Sequence, residues 1–299
     1  MAESLVAEKY ADWDRALRPP VPLPPAGSCD CQVHIYGDPA RYPRQWQISH
    51  ELPVGGIEDL KRLHAALGIA RAVLVHPGPY ETDYRLLIDS LEALADKSRY
   101  RGVVVVKDSV PDATLARLSE LGVCAARFHV AKRYPAYDRA ELLRSIARVR
   151  EIGWHVRLHM DPADLVEHAE ILRDIRDVPI AVDHFGSLDF RDGLDQPAFR
   201  FLLERLRHEN WWMMVANGNR YSKQQDGWDD AIPFARAYIA AAPDRIIWAS
   251  DWPHPRWPKG KRMVNDAESL ELLYRYVEND AGYLKKILVD NPARLHGFA

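Results

Sequence analysis

Histidines and arginines gather where the short β-branched runs of this chain end. Gln32 and His34 close the first run, His76 the second, Arg127 and His129 the fourth, His159 the fifth and His184 the sixth. Asn217 and Arg220 follow the seventh, and Asp251 with His254 follows the eighth. Six of the twelve histidines lie at these ends, so what reads one by one as hydrogen-bonded core reads together as a site. Imidazole changes charge near neutrality and a carboxylate accepts a proton from water, so the set can move protons. Guanidinium groups pair bidentately with carboxylates, so Arg127, Arg133 and Arg220 point to a small organic acid. For Arg133 and Arg220 the alternative of a solvated loop charge stays open; Arg127, ending a strand, is harder to set aside.

Those side chains meet only if the runs are parallel strands ending on one side. Candidate strands at 30–35, 71–76, 102–107, 123–130, 155–160, 180–184, 211–217 and 245–250 alternate with helical patterns such as 83–96, 112–121, 140–151, 162–175, 196–207 and 229–242. Repeated βα units of this kind build a parallel sheet. Pro111 before Asp112 and Gly122 after Leu121 supply start and stop signals for one of the helices. An open doubly wound sheet would carry a glycine-rich phosphate loop after its first strand, and Gln32-Val33-His34-Ile35-Tyr36-Gly37 is not one. The pattern predicts a single α/β domain, a closed (β/α)8 TIM barrel, whose active-site groups project from the C-terminal strand ends. Residues two apart on a strand share a face, so Gln32 with His34, Arg127 with His129, and Arg157 with His159 can point inward together. Inside a barrel, Arg157 needs a carboxylate or a bound anion to offset its desolvation. A strand shifted by one residue would turn it toward the helices instead, and both orientations stay open.

Composition suits one large globular domain. The 299 residues are 47% apolar and 28% charged, with 40 Lys+Arg against 43 Asp+Glu and a formal charge of -3. That excludes a disordered or fibrous polymer and advertises no nucleic-acid or membrane surface. No apolar stretch approaches the ~20 residues of a membrane helix, and the N-terminus lacks a signal-like apolar core; a cytoplasmic location is expected. Cys29, Cys31 and Cys124 make an odd count without metal-finger spacing, so neither a disulfide framework nor a structural zinc is expected. Cys29 and Cys31 read as a buried, inert pair. Pro19, Pro20, Pro22, Pro24 and Pro25 favour an extended arm, giving an arm over residues 1–28 that could wrap a neighbouring subunit and a barrel over 29–299.

Five stretches carry a resemblance: Cys29-Asp30-Cys31-Gln32-Val33-His34-Ile35-Tyr36-Gly37, Arg127-Phe128-His129-Val130-Ala131-Lys132-Arg133, Asp183-His184-Phe185-Gly186, Trp248-Ala249-Ser250-Asp251-Trp252-Pro253-His254-Pro255 and Asn291-Pro292-Ala293-Arg294-Leu295. Through them the chain after the arm resembles the amidohydrolase-related barrels, among them the 2-pyrone-4,6-dicarboxylate lactonases and their galactarolactone and sulfomuconolactone relatives. The resemblance implies Asp251 as general base on water, His34 and His184 polarising a lactone carbonyl, and Arg127, Arg133 and Arg220 holding substrate carboxylates. Gln32, His129, His159 and His254 complete the expected substrate-binding set. Two positions depart from the family. Gln32 replaces the first histidine of a His-x-His pair, which weakens an inherited metal site because a neutral amide is a poor ligand for zinc. His159 stands where the dicarboxylate lactonase has tyrosine; it either donates to substrate or joins His34, His184 and Asp251 in a three-nitrogen, one-oxygen metal set.

Opening an ester-like ring at neutral pH needs a nucleophilic water, stabilisation of charge growing on the carbonyl oxygen, and a ring held still. Asp251 suits the first need, His34 and His184 with the neutral donor Gln32 the second, and the arginines the third. A divalent metal would do the first two jobs, yet Arg127 beside it would repel it. The expectation is a metal-independent lactonase of aromatic- or sugar-acid catabolism, taking a small anionic lactone and no cofactor. The alternatives are a metal-dependent hydrolase or decarboxylase using one divalent ion such as Zn, a lactone isomerase, and a barrel that binds organic acids without chemistry.

Overall fold

The computed structural model describes residues 10–45, 51–130 and 139–298. Eight parallel strands, β1 (Cys29–Val33), β2 (Arg71–Val75), β3 (Tyr100–Val104), β4 (Val123–Val130), β5 (His155–Met160), β6 (Ile180–Val182), β7 (Trp211–Met214) and β8 (Ile246–Ile247), stand side by side in sequence order. Backbone bonds from Cys31 N to Trp248 O (3.1 Å), Asp251 N to Gln32 O (3.1 Å) and His34 N to Trp252 O (2.8 Å) join the last run to the first. The expected (β/α)8 barrel results. Outward residues such as Leu74, Val104, Phe128, Leu158 and Val182 share one core with helix residues Leu63, Leu91, Leu118, Ile146 and Leu202. A second core fills the barrel itself with small and sulfur-bearing side chains, including Cys29, Cys31, Ala125, Ala181 and Met214.

Several elements differ from the sequence pattern, and β1, β3 and β7 end two or three residues early at Val33, Val104 and Met214. β6 stops at Val182 instead of 184, because His184, Phe185 and Gly186 take φ of 50°, 57° and 71° and turn the chain out of the sheet. β8 is reduced to Ile246–Ile247, and the 162–175 helix breaks at His168 into Pro162–Glu167 and Ala169–Asp174. Asp112–Glu120 forms as its signals suggest, with Gly122 at φ 96° just beyond it.

The described part of the arm lies on its own barrel. Trp13 is 4% exposed, edge-on to Trp252 with ring centres 5.2 Å apart, and donates its indole N–H to Val54 O at 2.9 Å. Arg18 forks onto Glu271 of the helix Asp266–Tyr276, with both bonds at 2.7 Å. Among the described residues no helix is long and apolar enough to cross a membrane.

Candidate active site

Plain alternation along β1 cannot aim both Cys31 and Gln32 inward. The β1–β2 register shifts between Asp30 and Val33, and this bulge turns Gln32 and His34 into the barrel above the buried cysteines. Asp30 stays on the helix side, 3.5 Å from His64 Nε2, and its Oδ1 accepts from Gln32 N and Ser250 N at 3.2 and 3.0 Å. β4 and β5 pair Ala125 with His155, Arg127 with Arg157, and His129 with His159. Their inward side chains therefore stack in three tiers, with arginines in the middle and histidines at the mouth.

Asp183 neutralises the middle tier. Its Oδ1 accepts from Arg157 Nε and Nη2 at 2.8 and 2.5 Å, and its Oδ2 from Arg127 Nε at 2.8 Å. Burial would raise this carboxyl, but the two guanidinium charges outweigh it and hold it at about 2. Arg157 is thus an inward residue, fully buried, and it also donates to Gln32 Oε1 at 2.6 Å. With its oxygen fixed there, Gln32 must turn its NH2 upward. Nε2 lies 2.8 Å from Asp251 Oδ1, 2.9 Å from His184 Nε2 and 3.4 Å from His34 Nε2.

Asp251, at φ 62°, is the focus of these donors. Asn217 Nδ2 donates to its Oδ2 at 2.8 Å, His34 Nε2 lies 3.2 Å from Oδ1, and Arg220 Nη1 lies 3.9 Å from Oδ2. His34 itself is anchored by Nδ1–H donating to Val75 O at 2.7 Å. Burial pushes the Asp251 carboxyl up, yet the charges and hydrogen bond of His184, His34 and Arg220 carry it well below the usual carboxylate range. Burial also lowers His184 to about 4, against the pull of Asp251 and Asp183. His184 is therefore neutral at pH 7, and the Gln32 and Asn217 bonds with the Arg220 charge are what keep Asp251 ionised there.

A cavity of about 130 Å³ opens over this floor, lined among others by His34, Tyr36, Arg127, His129, His159, His184, Asn217, Arg220, Tyr221, Asp251 and Arg256. Arg127 Nη2 donates to His159 Nδ1 at 2.8 Å, which leaves Nε2 to carry that ring's proton. Arg220 spends Nη1 and Nη2 on Pro255 O (3.0 Å) and Arg256 O (2.7 Å), so it braces the loop after Asp251 as well as facing the cavity. His254, expected at the substrate, does not line the cavity: it is buried, with Nε2 3.0 Å from Asp266 Oδ1. Arg133 lies outside the described residues. The sequence pattern leaves out Tyr36, Tyr221 and Arg256, for which it offers no signal, and it places Asn217 at a strand end without giving its amide a role. It also leaves out Asp183, which had a signal. Arg157 needed a carboxylate, and Asp183 shares inward parity with Ala181, the partner of Arg157 on the next strand.

Among the described residues, two trios of donor atoms lie close enough for a metal: His159, Asp183 and His184 here, and Cys124, His155 and His296 at the opposite end of the barrel. The first fits an ion poorly, because both arginines already hold Asp183 and Arg127 holds His159 Nδ1. The wider set of His34, His159, His184 and Asp251 fits no better, since the Gln32 NH2 stands among three of those four residues.

Comparison with known proteins agrees with this architecture. The chain is 34% identical over 278 residues to a 4-sulfomuconolactone hydrolase of Hydrogenophaga intermedia, covering 91% of this chain and 89% of that one. It is 30% identical to a 2-pyrone-4,6-dicarboxylate hydrolase of Comamonas testosteroni over 96% and 95% of the two chains. A crystal structure of an Agrobacterium tumefaciens protein without ligand superposes with a TM-score of 0.81 at 26% identity, covering 94% of this chain and 99% of that one. The amidohydrolase family model matches residues 29–298, which is the barrel without its arm, and the chain is an enzyme of the amidohydrolase family.

Proposed function

We propose that this enzyme hydrolyses a lactone of a small di- or polycarboxylic acid, with Asp251 as the base and without a metal. The observation that carries the reading is an ionised, desolvated carboxylate at the edge of a small cavity that three arginines also line. Asp251 takes a proton from water as the water oxygen bonds to the lactone carbonyl carbon. It returns that proton to the ring oxygen when the carbon–oxygen bond breaks. His34 and Gln32 keep the base in place; His159 Nε2–H is a donor to charge growing on the carbonyl oxygen, and Arg220 faces a carboxylate of the substrate. Arg127 and Arg256 suit acid groups on the ring. Two relatives named for lactones that bear sulfonate or carboxylate groups support the same substrate class. The commitment of the Gln32 NH2 to His184 and Asp251 supports the metal-independent form. A cytoplasmic role in organic-acid catabolism is the setting this reading implies.

The test is acid release at constant pH from a panel of carboxylated lactones, with neutral lactones of equal ring size alongside and product identification by NMR. Faster turnover of the carboxylated members to ring-opened acids is expected. Turnover of neutral esters alone would refute the anionic substrate, and a rearranged lactone product would assign an isomerase instead.

A further inference from the structure

The opposite end of the barrel holds three donors that the proposed reaction does not use. Cys124 sits where the β3–β4 register shifts between Gly102 and Val103, His155 opens β5, and His296 ends the helix Asn291–His296 that lies at the barrel floor. Cys124 Sγ is 3.7 Å from both His296 Nδ1 and Gly102 O. The His155 and His296 ring centres are 5.0 Å apart, and one donor atom from each of the three residues lies within 4.8 Å of the others. An ion with a metal–sulfur bond of about 2.3 Å and a metal–nitrogen bond of about 2.0 Å spaces tetrahedral sulfur and nitrogen ligands by about 3.6 Å. Cys124 and His296 already stand at that spacing. His155 is bonded through its ring to the Cys124 backbone, the kind of anchor that fixes the tautomer of a metal-binding histidine. Its Nε2 has no partner although the ring is buried. A buried polar atom left unpaired is costly, and a ligand would offset that cost.

Charge selects the ion. Arg101 donates to His296 O and Gly297 O at 3.0 and 2.5 Å, and Arg71 donates to Gly27 O and Val289 O at 2.8 and 3.0 Å. Both guanidinium charges act on His296, and among the described residues both are spent on carbonyls and neither pairs with a carboxylate. A thiolate with a divalent ion would add a further positive charge beside these arginines; a thiolate with a monovalent ion adds none. We propose that Cys124, His155 and His296 form a binding site for a soft monovalent cation, Cu(I), which fastens the C-terminal helix to the barrel floor. As the copper–sulfur bond forms, the Cys124 thiol gives its proton to solvent and the metal keeps its oxidation state. Uptake therefore releases a proton and weakens as pH falls.

The experiment uses the full chain, stripped of metal and kept anaerobic. It is titrated with Cu(I) held by bicinchoninate and separately with Zn(II) held by a chromophoric chelator, while proton release and the thermal midpoint are recorded. The expected result is one equivalent of Cu(I) withdrawn, one proton released, a midpoint raised by several degrees, and Zn(II) held at least tenfold more weakly. Cys124→Ala should abolish uptake, and Cys29→Ala/Cys31→Ala should retain it. Should Cys124→Ala fail to fold, His296→Gln serves, with at least a tenfold weakening of Cu(I) binding expected. No uptake by the wild type, preference for Zn(II), or loss of uptake only in the Cys29/Cys31 variant would overturn the proposal.

Discussion

Gln32→Glu changes one atom in the tightest part of the site and moves a titration into view. One oxygen of the new carboxylate inherits the 2.6 Å bond to Arg157, and the other comes to face Asp251 Oδ1 across 2.8 Å, where the amide now donates. Two carboxylates so placed cannot both be ionised freely and share a proton. At about 4 Å between charge centres and an effective dielectric constant of about 20, their repulsion is about 4 kcal/mol, or about three pK units. Arg157 offsets about one of these through its bond to the new group, so the pair should lose its shared proton near pH 6. In the wild type Asp251 lies well below the usual carboxylate range, and kcat/KM should stay flat from pH 5 to 8. The variant should lose about tenfold between pH 8 and pH 5, with kcat/KM for a carboxylated lactone as the assay and near-wild-type rates at the alkaline end. A variant that is active with a flat profile would show that Gln32 does not face the base. A variant dead at pH 8 as well would show that the Gln32 hydrogen bond, not the ionisation of Asp251, limits the reaction.

Asp251→Asn should lower kcat by about 10²-fold or more with the circular dichroism spectrum intact, and a near-normal kcat would move the base elsewhere. Arg220→Met should lower kcat/KM for a carboxylated lactone by about 2 kcal/mol more than for a neutral one. Because Arg220 also holds Pro255 O and Arg256 O, both substrates should slow, and an unchanged ratio between them would remove this arginine from substrate binding. Burial lowers His76 and His184 to about 4, His155 to about 3, and His296 well below its usual value. Unfolding therefore takes up about four protons at these rings below their unfolded value of about 6.5, and stability should fall as pH drops from about 6.5 toward 4. Asp183, held at about 2, adds a separate loss only as pH falls from about 4 to 2. A urea midpoint unchanged between pH 7 and 5 would contradict the histidine part. Activity should survive EDTA, and a metal content lost with Cys124→Ala while activity persists would place the ion at the barrel floor.

The parts of the site that were legible in the sequence are those fixed by strand parity. Arg127 with His129 and Arg157 with His159 stand out because polar residues at alternate positions interrupt otherwise apolar, doubly buried strands, and β4 and β5 keep the bounds their β-branched runs suggest. The bulge in β1 was hidden, since Cys29, Cys31, Gln32 and His34 all face inward only when the register slips. The turn through His184 and Phe185 was hidden for another reason: non-glycine residues at positive φ carry no composition signal. Pairings across strands need the register as well, so the Asp183–Arg157–Gln32 chain, the Arg220 brace and the His254–Asp266 contact became visible only with coordinates.

The clasp between Arg18 and Glu271 joins residues 253 positions apart, and this sets an order of assembly. During synthesis the arm leaves the ribosome long before the helix Asp266–Tyr276 exists, so it waits through the making of every strand of the barrel. Its prolines suit that wait, for Pro19, Pro20, Pro22, Pro24 and Pro25 have no N–H to offer to a growing sheet edge. The arm's seat does not exist until residues 252 and 271 have been made, and there Trp13 covers Trp252, the neighbour of Asp251. The first residues to be made thus secure one of the last loops to be placed, and that loop carries the base.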